Sequence, residues 1–185
     1  NGFLTARWNF PAAIGSPLGD PAGTGSAVAL SYSFLSASPV YYQEPGVRSF
    51  DNVEKTAAQQ ALASIASIAG VSFQEVLGVG QLTFAMSTQS ASQGAFAFIP
   101  SYAYALSGAN LISSVTESEL SGDVWVNGAL GWVGSDWQPG RNGYATLLHE
   151  IGHGLGLRHP FEVIEGGFTL SPALDNERYT VMSYT

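Results

Sequence analysis

The chain has three histidines, His149, His153 and His159, and all of them fall within eleven residues. The stretch His149-Glu150-Ile151-Gly152-His153-Gly154-Leu155-Gly156-Leu157-Arg158-His159 reads H-E-x-x-H-x-x-G-x-x-H without a mismatch. If residues 147–155 are helical, His149 and His153 project from one face, one turn apart, where two imidazoles can share a metal ion. Gly156 lets the backbone leave that helix through a left-handed conformation, which a residue with a Cβ resists. Such an exit can bring His159 back as a third ligand. Three neutral imidazoles on zinc leave a fourth position for water, the arrangement of a catalytic rather than a structural site. Glu150, next to the first ligand, can reach that water without displacing a histidine. It can take a proton as the water attacks a carbonyl, then hand it to the leaving amine. The rival reading is a helix whose surface histidines fall into register by accident. H-E-x-x-H alone has real false positives, but the full spacing in a chain with no other histidine is much harder to reach by chance.

The elements that must position these residues are readable in outline. Residues 1–25 are rich in Gly, Pro and Ala and are expected to wrap the surface irregularly, with Trp8 and Phe10 as packing anchors. Residues 27–35 alternate, with Val28, Leu30, Tyr32 and Phe34 on one face, and predict a half-buried strand. Residues 38–49 read as a loop. The spacing of Ala58, Leu62, Ile65 and Ala69 predicts a helix over about residues 51–69, stopped by Gly70. Residues 71–76, 81–86, 94–100 and 122–127 predict four further strands, and residues 128–143 a loop leading to the apolar approach, 144–148, before His149. Glu75 reads as structural. This order gives an α+β fold with the metal helix beneath a mixed sheet.

Composition narrows the partners. A hydrophobic share of 45% against 11% charged residues argues for one folded domain in 185 residues. A net charge of −8 with a single lysine, Lys55, excludes an electrostatic grip on nucleic acid or on an anionic membrane. No apolar run approaches the roughly 20 residues needed to cross a bilayer, so no membrane insertion is expected. The absence of cysteine excludes disulfides, a thiolate zinc site and a thiol cap on the catalytic metal. No basic and apolar N-terminal signal segment is visible.

Downstream lies Tyr179-Thr180-Val181-Met182-Ser183-Tyr184. Read alone, Met182 is a core methionine and Tyr184 a half-buried aromatic. Joined to the histidine motif, the segment resembles the methionine turn that is the second hallmark of the metzincin metalloproteases. Pro160 directly after the third histidine and Tyr184 two residues after Met182 resemble the serralysin branch. Residues 27–35, the V-S-F-Q-E-V at 71–76, the G-D-V-W-V-N at 122–127 and Asp175-Asn176 resemble it as well. The resemblance runs from about residue 27 to 184. It implies a zincin-like catalytic domain and a zinc endopeptidase that cuts extended segments of proteins. It further implies one Zn2+ on His149, His153 and His159, with Tyr184 as a switchable extra ligand and oxyanion-stabilising phenol. Glu150 would be the general base and then acid, and Met182 an apolar floor beneath the metal that does not bind it.

The same resemblance implies that the backbone of Ala95, Phe96, Ala97 and Phe98 is a sheet edge that pairs with the substrate. The alternative there is an ordinary core strand with Phe96 and Phe98 packed inward. Residues 160–178 are expected to wall the pocket beside the scissile bond. Protein or peptide substrates, a monomer, a proteinaceous inhibitor as a further partner, and bacterial secretion to the exterior also follow from the resemblance. Calcium is expected mainly through a C-terminal repeat region that this sequence does not contain. Asp136, Glu162, Glu165, Asp175 and Glu177 read as solvated carboxylates rather than calcium ligands. The expected organisation is a single peptidase domain over residues 1–185, truncated just after the methionine turn. Two rivals stand beside it. One is a zinc-holding but silent binding module, which the intact Glu150 argues against. The other is a matrixin-like protease, which usually needs extra histidines for a structural zinc.

Overall fold

A computed structural model describes Trp8 and residues 14–17, 27–162 and 169–185. Phe10, Glu165 and most of residues 1–25 lie outside the described residues. The alternating segment forms β1 (Val28–Phe34), which turns Leu30 and Tyr32 into the core. Asp51 then starts α1 (Asn52–Ala66). Its carboxylate accepts the N–H of Val53 at 2.8 Å and of Glu54 at 2.9 Å, while Glu54 accepts the Asp51 N–H at 2.7 Å. This reciprocal capping box fixes the start of the helix. Arg48 adds two hydrogen bonds of 2.8 Å to the same Glu54, so a buried carboxylate is fully paired. The helix stops short of the expected Ala69, because the N–H groups of Ile68 and Ala69 both return to Ile65 O in a tightening turn.

The chain continues through β2 (Val71–Glu75), β3 (Leu82–Ser87), β4 (Ala95–Ala97), β5 (Tyr102–Leu106), β6 (Ile112–Glu117) and β7 (Asp123–Asn127) to α2 (Asn142–Gly154). Five strands form one sheet in the order β2-β1-β3-β7-β4. The first four are parallel and β4 closes one edge antiparallel to β7. Strands β5 and β6 make a separate hairpin that the strand count from sequence missed. Its signal was present in Tyr102-Ala103-Tyr104-Ala105-Leu106, which alternates with period two and leads into Ser-Gly-Ala-Asn. Asn110, at φ +58°, turns the chain there.

One face of the sheet carries Leu30, Tyr32, Phe84, Met86, Val124 and Val126 onto both helices. From α1 come Ala57, Ala58, Ala61 and Leu62, and from α2 Leu147 and Ile151. Each fully buried Leu or Phe here contributes roughly 1.5–3 kcal/mol of transfer free energy. Because strand side chains alternate, Trp125 and Ala85 point to the other face. Phe96 and Phe98 cover them there, with Tyr42 and Val47. Phe96 and Phe98 therefore pack away from α2, whereas Ala95 and Ala97 face it. Among the described residues, no helix is long and apolar enough to cross a membrane.

Candidate metal centre

Helix α2 is anchored by Leu147 and Ile151, which are fully buried in the core, and this orientation presents His149 and His153 along the edge strand. Its C-terminus is a Schellman turn: Leu157 N–H bonds Gly152 O at 2.9 Å and Gly156 N–H bonds His153 O at 2.8 Å. Gly156 takes φ +102°, the left-handed exit expected from the sequence. Trp8 fastens the same helix end from outside, its indole N–H donating to Gly154 O at 2.7 Å. The chain then returns, and His159 meets the two helix histidines.

The three Nε2 atoms form a triangle with sides of 3.1, 3.1 and 3.2 Å. Each Nδ1 is occupied elsewhere. His149 Nδ1 donates to Val181 O at 2.7 Å, His153 Nδ1 to Leu157 O at 2.9 Å, and His159 Nδ1 to Glu162 Oε1 at 2.6 Å. Carbonyl oxygens only accept, so Nδ1 of His149 and His153 must carry the proton, and their Nε2 lone pairs converge on one point. Burial pushes the His149 imidazolium pKa below its ordinary value and that of His153 down to about 4, which keeps both rings neutral. Neutral imidazoles turned lone pair to lone pair repel one another unless a cation lies between them. In a tetrahedral zinc site with bonds of roughly 2.0–2.1 Å, ligand nitrogens stand about 3.3 Å apart. The donor set, its tautomers and its spacing fit that ion.

Glu150 is buried beside the triangle, and its Oε2 has no partner among the described residues. Burial lifts its carboxyl to about 7. The Tyr184 hydroxyl donates to His159 Nε2 at 2.6 Å, and its ring stacks on His149 with centroids 5.1 Å apart. Burial first, then the Glu150 and Glu162 carboxylates, raise the phenol pKa, so it stays a donor near neutral pH. Met182 is buried against the helix at Gly152, where an added Cβ would stand 2.5 Å from its Sδ. The turn around it is tied back by Ser183 Oγ, which donates to Asp175 Oδ1 at 2.7 Å.

Strand β4 lies at the end of the sheet, and its outer edge pairs with no other strand among the described residues. Asn127 N–H bonds Gly94 O at 3.0 Å and Phe98 N–H bonds Asp123 O at 2.9 Å, so the even-numbered backbone groups face β7. By alternation, the N–H and C=O groups of Ala95 and Ala97 face outward along the free edge. Two clefts of about 350 and 630 Å3 lie between this edge and the metal-site residues, and both reach Glu150 and Tyr184. The smaller extends under Ala97 and Ile99 to Arg158 and Glu162, the larger towards Asn142, Thr146 and Val181. Glu177 reaches the larger cleft and Glu162 the smaller, so parts of the expected pocket wall do face the site.

Two participants escaped the sequence reading. Glu162 is not simply a solvated acid, since it orients His159. Gly152 is the seat of Met182. Of the other acids, Asp136 accepts the Val133 N–H at 2.8 Å and Asp175 holds Ser183, so both have structural partners. Glu75 accepts from Tyr32 OH at 3.2 Å and Gln59 Nε2 at 3.0 Å, as its structural reading expected.

No protein-family model matches the chain. It is similar to Metalloprotease AprA of Pseudomonas entomophila (strain L48), at 32% identity over 85% of this chain and 32% of that protein. A Serralysin of Photorhabdus sp. (strain Az29) is also 32% identical, over 84% of the chain and 32% of its own length. A Serralysin of Proteus mirabilis is 28% identical over 97% of the chain and 36% of its own length. The chain thus spans about a third of the length of the curated relatives it matches. Over that shared stretch the chain is similar to proteins named serralysin and metalloprotease AprA.

Proposed function

We propose that this chain is the catalytic part of a secreted, zinc-dependent endopeptidase with a zincin-like fold that cuts extended protein segments. The observation that carries the reading is the convergence of three Nε2 lone pairs beside a buried glutamate whose Oε2 has no partner among the described residues. His149, His153 and His159 would hold the metal, with Tyr184 as a further oxygen ligand. When bound, a zinc ion supplies a Lewis acid that acidifies water and polarises the scissile carbonyl. Glu150 takes the proton from the attacking water and returns it to the leaving amine, and its burial matches its pKa to proton transfer near neutral pH. Tyr184 donates a hydrogen bond to the developing oxyanion. The open edge at Ala95 and Ala97 pairs with the substrate backbone and aligns the scissile bond over the histidines. Met182 supports the floor of the site without contributing a donor.

Secretion, and any calcium held outside residues 1–185, are inferred from the serralysin kinship. Stripping the protein with a zinc chelator should abolish cleavage of an unfolded protein such as casein, and one equivalent of zinc should restore it. Casein cleavage that survives complete metal removal would rule the reading out.

A further inference from the structure

The smaller cleft holds an imbalance that the proposed peptide chemistry does not use. Among the described residues lining the two clefts, Arg158 is the one cation, set against Glu150, Glu162 and Glu177. Its Nε is shut off from solvent and has no hydrogen-bond partner among the described residues. Among the described residues its ion-pair neighbour is Glu162, at 3.8 Å from Nη1, which is beyond hydrogen-bonding distance. Glu162 is moreover committed, since its other oxygen accepts from His159 Nδ1 at 2.6 Å. A guanidinium offers five N–H donors in a planar fork that matches a carboxylate. Arg158 therefore lines the cleft with charge and donor capacity that its described neighbours leave unmet.

The edge strand determines what can reach it. Ala95 and Ala97 turn their side chains toward α2, and Phe96 and Phe98 turn theirs away. A peptide paired with this edge follows the same alternation, so residues opposite Ala95 and Ala97 project into the cleft. Of the two clefts, the one lined by Ala97 and Ile99 is also the one lined by Arg158 and Glu162. We infer that Arg158 makes this cleft a subsite for an acidic substrate side chain, a preference that rests on the peptidase reading above. The overall charge of −8 opposes acidic substrates at long range. That field is screened beyond about 8 Å at physiological ionic strength, so the preference acts by contact.

The test uses a set of peptides identical except for Glu, Gln or Lys at each successive position around the scissile bond. At one position on the side over Ala97 and Ile99, the intact protein should favour Glu over Lys by about tenfold in kcat/KM, mainly through KM. Arg158→Gln should flatten that ratio and Arg158→Glu should invert it, with zinc content measured in each variant. A second arm needs no turnover: labelled peptides are titrated into zinc-loaded Glu150→Ala protein, with and without Arg158→Glu. Tighter binding of the Glu peptide that inverts with Arg158→Glu supports the subsite. An unchanged Glu-to-Lys ranking in the Arg158→Glu proteins overturns it. Absence of all cleavage by the zinc-loaded intact protein would instead count against the peptidase reading, while the binding arm would still decide on Arg158.

Discussion

Glu150 is nearly buried, and no charge other than its own is needed to explain its raised pKa; desolvation does so alone. It contributes no ligand atom to the proposed centre, so Glu150→Ala should retain zinc while kcat falls by about 10²–10⁴. Tyr184→Phe should cost less, about tenfold to a hundredfold in kcat, because it deletes one hydroxyl from an exposed ring. Glu162 acts through His159. Glu162→Gln should weaken zinc affinity about 10–100-fold in a chelator competition, whereas Glu162→Asp should recover part of it. At this scale the histidines and Glu150 were legible, because helical spacing converts sequence separation directly into geometry. Glu162 was not, because it follows Pro160 in an irregular turn where spacing carries no such rule.

The helix that carries the site depends on two glycines for different reasons. Gly156 needs its positive φ, and a Cβ in that region costs about 1–2 kcal/mol. Gly156→Ala should lower the melting temperature and loosen His159, read as weaker zinc binding. Gly152 instead needs space, since its missing side chain is filled by Met182 Sδ. Gly152→Ala should cost about 1–3 kcal/mol by overpacking and displace the turn that holds His149 Nδ1. Calorimetry with zinc titration separates the two, because strain at Gly156 acts chiefly on His159 and crowding at Gly152 chiefly on His149. The helical exit at Gly156 was readable from the motif. The seat at Gly152 was not, because the contact joins residues thirty positions apart. The four strands of the parallel part of the sheet were also readable within a residue or two, as alternation or short apolar runs bounded by turn residues. The β5–β6 hairpin was passed over because its faces are mostly small or polar and half-exposed.

At the scale of the whole molecule, Asp123, at the start of β7 and fully buried, should add its own contribution to the pH dependence of stability. Its Oδ1 accepts from Thr83 Oγ1 at 2.6 Å and Tyr41 OH at 3.3 Å, but its Oδ2 has no partner among the described residues. Burial outweighs those two hydrogen bonds and pushes the carboxyl up to about 6. The unfolded chain titrates near 4, so folding takes up a proton between those values. The contribution is complete below about pH 4 and is lost as pH rises through about 6, by at most about 3 kcal/mol. His153 acts with the opposite sign: its folded pKa is lowered to about 4, so its contribution is present above about 6.5 and lost as pH falls toward 4. Asp123 is therefore isolated by difference. Urea unfolding of the intact protein minus that of Asp123→Asn should show stability falling from pH 4 to 7; a flat difference would remove the assignment. Sequence alone gave Asp123 as part of a strand motif. Its unmet oxygen depends on which strands flank β7, which only the assembled sheet reveals.

The most direct measurement is casein cleavage by zinc-loaded protein beside zinc-loaded Glu150→Ala at matched metal content. A zinc endopeptidase working through Glu150 requires turnover in the first and a loss of at least about a hundredfold in the second. Equal turnover by the two would contradict the proposed chemistry at its centre.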